Sequence, residues 1–167
     1  MYSSMKLFLL LTFLFAFSFY ELKAQKTFKS IRSKIQSADS VWIISHEVTG
    51  VFIKNENGKS SEVMLVENGK LHRELISKSI LLDADGKSQL VKMLARSSTS
   101  SKVEMAKCFF GEHAIVWKKD KKFSCIDIAF SCHRLRETPG VENSFPEFDN
   151  NKWRELEAFF KEKGIIL

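Results

Sequence analysis

The chain has 167 residues, 44% of them apolar, and a net charge of +6. That length is one domain's worth and can bury a core without disulfide staples. The positive excess is spread along the chain and never interleaved with aromatics, which argues against a nucleic-acid platform.

The first residues read as an export signal. Lys6 supplies a short positive region, Leu7 to Tyr20 an apolar stretch, and Glu21-Leu22-Lys23-Ala24 a processing site, with cleavage expected between Ala24 and Gln25. The apolar stretch is short for a membrane span, which needs about 20 apolar residues. No cysteine stands at the site to take a lipid anchor. The expected mature chain, residues 25–167, loses Lys6, Lys23 and Glu21 and so carries +5. The expectation is an exported protein, periplasmic or extracellular in a Gram-negative bacterium, with no membrane span after cleavage.

Beyond the signal, Phe28, Ile31 and Ile35 recur at helical spacing and predict a short helix over 25–38. Strands are predicted over Ser40–Glu47, Val51–Lys54, Glu62–Val66 and Leu71–Leu82, the last irregular near Ser77. Asn57-Gly58 and Asn68-Gly69 are two-residue turn signals, because both positions of such a turn need positive φ. Asp83 then caps a helix running to about Arg96, with Leu90, Met93 and Leu94 on its inner face. The same Asp83-Ala84-Asp85-Gly86 excludes a calcium loop, since Leu81 and Lys92 occupy positions where that loop needs oxygen ligands.

Ser97 to Ser101 is a flexible link into a hairpin, with apolar runs His113–Trp117 and Phe123–Phe130 about a five-residue tip centred on Asp120. That centring sets Ala114 opposite Ile126, His113 opposite Asp127, Ile115 opposite Cys125 and Cys108 opposite Cys132. It places Phe110, Ala114, Val116, Ile126, Ile128 and Phe130 on one core face. Residues 137–151 hold Pro139 and Pro146 and read as a long surface loop. Asp149 caps a last helix, Lys152–Lys163, which buries Trp153, Leu156, Phe159 and Phe160. Gly164 ends it, and Ile165, Ile166 and Leu167 fold back. The order of elements predicts one α+β domain, a mainly antiparallel sheet of about six strands with three helices on one face.

Three chemistries are open on the hairpin. An oxidising compartment permits a Cys108–Cys132 disulfide; the alternative is two buried thiols. Cys125, the odd cysteine, shares a face with His113 and Asp127 in this register, and thiol, imidazole and carboxylate are the parts of a nucleophilic site. A mid-strand cysteine is otherwise a small core residue, and His113–Asp127 a cross-strand pair. Cys108, His113, Cys132 and His133 suit zinc in number but lack the paired knuckle spacing, and the metal competes with the disulfide for the same sulfurs. No glycine-rich phosphate loop, H-E-x-x-H or G-x-S-x-G occurs, so no cofactor is indicated.

Cys108, residues 111–115 (GEHAI) and residues 129–132 (AFSC), with the Trp153-to-Gly164 helix and its Lys-Gly-Ile ending, resemble a pattern in uncharacterised secreted bacterial proteins. Those carry a strand ending in Cys-Phe-x-Cys. Here Ala129 stands for the first of those cysteines and Gly111 for a usual proline. The resemblance implies no particular activity. The expected role is a non-catalytic binding or accessory protein of the cell envelope, its partner a protein or envelope component. A thiol- or metal-dependent activity at residues 108–133 is the alternative.

Overall fold

The computed structural model describes residues 31–50, 52–54, 58, 60–96, 109–138 and 148–166. Helix α1 is described over 31–36 and buries Ile31 and Ile35. The strands that follow are β1 (Ser40–Thr49), β2 (Phe52–Lys54), β3 (Ser60–Glu62), β4 (Val66–Glu67), β5 (Lys70–Leu71) and β6 (Ile76–Leu81). After helix α2 (Ala84–Ala95) come β7 (Gly111–Lys119), β8 (Lys122–Ala129), β9 (Arg134–Glu137) and helix α3 (Asn150–Glu162). A single α+β domain results. Its main sheet has the order β6-β1-β7-β8-β9, with every neighbour antiparallel, and β2–β3 and β4–β5 form two small separate hairpins.

The core lies on both faces of the central strands. On one side Val41, Ile43, Ile115, Trp117, Ile126 and Ile128 meet Ile31 and Ile35 of α1, Leu90 and Leu94 of α2, and Trp153, Leu156 and Phe160 of α3. On the other, Ile44, Ala114, Val116 and Cys125 pack under Leu65 and Val66, with Leu71 and Leu75 beside them. This double burial explains why β7 reads as a nearly unbroken apolar run. Each such side chain taken fully from water contributes about 1.5–3 kcal/mol.

Both helix caps follow the expectation. Asp83 Oδ1 accepts from the Gly86 N–H at 2.7 Å and Asp149 Oδ1 from the Lys152 N–H at 2.8 Å. Asn68 and Gly69 both adopt positive φ and join β4 to β5 as the NG signal predicts. Gly58 also has positive φ, while Asn57 lies outside the described residues.

Several expectations are corrected. The strand predicted over Glu62–Val66 is divided between β3 and β4, and that over Leu71–Leu82 is broken by a 3-10 turn at Arg73–Leu75; the expected irregularity near Ser77 is present in β6, whose pairing with β1 passes from Lys78 to Ile76. Strand β9, which was not predicted and takes in Glu137 from the expected loop, completes the sheet beside β8. Ile165 is buried but Ile166 is exposed.

The main correction concerns the hairpin. Asp120 and Lys121 both take left-handed φ, so the tip is a two-residue turn closed by Lys119 opposite Lys122, not a five-residue loop. Asp39 Oδ2 supports it by accepting the Asp120 N–H at 3.2 Å. The pairing is therefore His113 with Ile128, Ala114 with Asp127 and Val116 with Cys125. A slip of one residue transfers every β8 side chain to the other face relative to β7.

Candidate functional site

That register separates the proposed nucleophilic set. His113 lies on the helix side, its ring edge-on to Phe130 and Phe160, and Nε2 is 3.2 Å from the Ile166 carbonyl. Burial holds its pKa below the ordinary value, and the hydrogen bond to Ile166 only partly offsets this. His113 is a neutral core histidine that donates to a backbone carbonyl.

Cys125 faces the other way. Its thiol is free and 3% exposed. Thr138 encloses it: the Cys125 N–H donates to Thr138 Oγ1 at 2.8 Å, and that oxygen lies 3.3 Å from Sγ. Burial pushes the thiol pKa up to about 12, against a smaller downward pull from Thr138. A thiol in that state supplies almost no thiolate at neutral pH and is a poor nucleophile. The set of Cys125, His113 and Asp127 is not assembled.

Asp127 has other partners, and they form the most polar buried cluster among the described residues. Strand β1 is irregular between Ser45 and Thr49, where its pairing with β7 resumes at Thr49 opposite Gly111. The irregularity brings His46 and Thr49 onto Asp127, although Asp127 is 81 positions from His46 in sequence. Thr49 Oγ1 donates to Asp127 Oδ2, and Arg136 Nη2 lies 3.4 Å from the same oxygen. Asp127 and Arg136 are paired across β8 and β9. Arg136 Nη1 in turn pairs with Glu62 of β3, and its guanidinium lies over the Phe109 ring at 4.4 Å.

On its second oxygen, Asp127 Oδ1 stands 3.3 Å from His46 Nε2. The two are close enough for charge attraction but too poorly aligned to count as a hydrogen bond. His46 Nδ1 is 2.7 Å from the Glu47 carbonyl, which can only accept, so Nδ1 carries a proton. Burial by itself lowers the His46 pKa, but Asp127, Glu47 and the His113 backbone outweigh it and the net direction is upward. The site therefore favours an imidazolium against a carboxylate. Gly111 makes room for it, since a Cβ there would land on the Asp127 carboxylate and 2.7 Å from Thr49 Oγ1. His46 and Asp127 are 4% and 3% exposed. The pair can hold a proton and anchor strands, but no reacting group is presented to solvent.

Sequence reasoning missed His46 because no spacing links it to Asp127. The only local hint is the loss of apolar alternation at His46-Glu47-Val48-Thr49.

The metal set is not gathered either. Cys132 is buried within a 3-10 turn at Phe130–Cys132, and His133, with left-handed φ, stacks on Trp153 at 5.2 Å. Neither of them lies in a strand. Among the described residues no three His, Cys, Asp or Glu side chains lie together as metal ligands. Cys108, shared by the disulfide and metal expectations, lies outside the described residues, as do residues 1–30. Among the described residues no helix is long and apolar enough to cross a membrane.

No protein-family model matches the chain, and no curated protein or solved structure is significantly similar to it.

Proposed function

We propose that this protein is exported, loses residues 1–24, and acts by binding a protein or envelope component of a Gram-negative bacterium rather than by turnover. The observation that carries the binding reading is the end of the sheet beside His46 and Asp127. Val48, Phe52 and Phe110 are all exposed there. Val48 and Phe110 adjoin the paired Thr49 and Gly111, and Phe52 pairs with Glu62, the partner of Arg136. Exposed apolar side chains around a rigid polar anchor suit a partner surface. A catalytic reading has less support, because the thiol is enclosed and the histidine–carboxylate pair is covered.

A Cys108–Cys132 bridge belongs to the same reading. Among the described residues Cys125 is a free thiol, and the proposal pairs Cys132 with the remaining cysteine of the chain, Cys108. Intact mass after alkylation should show one label before reduction under denaturing conditions and three after it.

The deciding experiment expresses the full chain in a Gram-negative host and compares it with Phe52→Asp/Phe110→Asp. The expected result is recovery from the periplasm or medium with Gln25 at the N-terminus. A discrete envelope component should be retained by the native protein and lost by the equally folded double variant. Cytoplasmic retention overturns export. Equal retention by both proteins overturns the binding surface, and rapid alkylation of Cys125 in the native fold returns the thiol reading.

A further inference from the structure

Strand β6 forms one edge of the main sheet, and its exposed backbone is self-complementary. The Leu82 N–H donates to the Val41 carbonyl at 2.9 Å, so Val41, Ile43 and Ser45 direct their backbone groups toward β6. The Thr138-to-Cys125 bond at the far side of the sheet, followed through β8 and β7 to β1, gives the same alternation. Ile80 and Lys78 therefore bond inward to β1, while the N–H and C=O of Ser79 and Leu81 point outward. Both residues are exposed, Leu81 at 61%.

We infer that β6 pairs antiparallel with β6 of a second copy of this chain, with Ile80 on the two-fold axis. In that register Ser79 faces the partner's Leu81 and Leu81 the partner's Ser79. Every outward N–H and C=O of both residues is then bonded, which is the requirement of an isologous contact. Ile80 faces its own copy on the helix side, where it already packs against the core. Leu81 covers the partner's Ser79 on the side that holds Trp42, its cross-strand neighbour.

Lysine in an edge strand ordinarily discourages such pairing. Here Lys78 Nζ donates to the Gly164 carbonyl at 2.6 Å, which draws its charge toward the end of α3. The register also keeps the two copies of Lys78 from facing each other. A foreign strand could use the same N–H and C=O groups, but the matched Ile80 pair and the separated lysines favour a second copy. The inference does not depend on the envelope partner proposed above, which occupies the other end of β1.

The test is sedimentation velocity of the purified protein over a range of micromolar concentrations. The expected result is a monomer–dimer equilibrium that Ser79→Pro and Leu81→Arg each weaken by about tenfold or more. Proline at 79 removes only an outward N–H, and Leu81 is already exposed, so the second variant decides the matter if the first fails to fold. Directly opposed residues in a non-hydrogen-bonded pair suit a disulfide. Ile80→Cys should therefore form an intermolecular bridge under mild oxidation, and Ser77→Cys should not. A monomer at every concentration overturns the inference, as does a dimer that both variants leave intact.

Discussion

His46 Nε2 faces Asp127 Oδ1 across 3.3 Å of protein interior, while Glu47 fixes the other ring proton. Two strands distant in sequence thus meet through a charge pair with almost no access to water. Thr49 and Arg136 satisfy the second carboxylate oxygen.

This pair gives stability a pH dependence of definite sign. The His46 pKa is raised on folding, so its contribution is fully present below the unfolded value near 6.5 and is lost as pH rises through the folded value. His113 runs the other way: its pKa is lowered, so its contribution is present above the unfolded value and lost as pH falls through the folded one. Urea midpoints should therefore decline on the alkaline side of about pH 6.5 in the native chain and flatten there in His46→Asn. An unchanged alkaline limb in that variant would place the titration elsewhere.

Removing the carboxylate should cost more than removing a surface ion pair. Asp127→Ala leaves a buried imidazole and a partly buried guanidinium without their shared partner, and denaturant titration should show a loss of about 3–5 kcal/mol. Gly111→Ala tests the same site from the backbone side. Its Cβ meets Asp127 and Thr49, and the displaced carboxylate should cost about 1–3 kcal/mol.

The hairpin tip permits a gain. Lys121 holds φ at 67°, a conformation that penalises a side chain, so Lys121→Gly should raise stability by about 1 kcal/mol, read as a higher urea midpoint at constant slope.

The tip also shows where the sequence was and was not legible. The apolar runs of β7 and β8 were readable because composition marks a strand, and Asp83, Asp149 and Gly164 were readable because capping chemistry is local. The register was not. Lys118, Lys119 and Lys122 resemble loop residues but continue the strands beyond the core, and Asp-Lys lacks the glycine that announces a two-residue turn. The same miscount assembled Cys125, His113 and Asp127 on one face. His46 was invisible for another reason: its partner depends on an irregularity in β1, which no spacing reports.

Lys152 offers a fifth measurement. Its side chain is buried, donating to the Leu94 carbonyl at 3.1 Å and the Arg96 carbonyl at 2.7 Å, with the Phe148 ring 4.2 Å away. Burial, with Arg96 adding to it, lowers its pKa to about 8, so the ammonium still predominates at neutral pH. Lys152→Met keeps the bulk and leaves those carbonyls unanswered. A loss of about 1–3 kcal/mol is expected in thermal or urea unfolding.

The same lysine fastens the first turn of α3 to the last carbonyls of α2 across more than fifty positions of chain. The two helices are thereby joined by a side chain as well as by the peptide between them. A break in the backbone between them would therefore leave α2 and α3 still tied to each other through Lys152 Nζ.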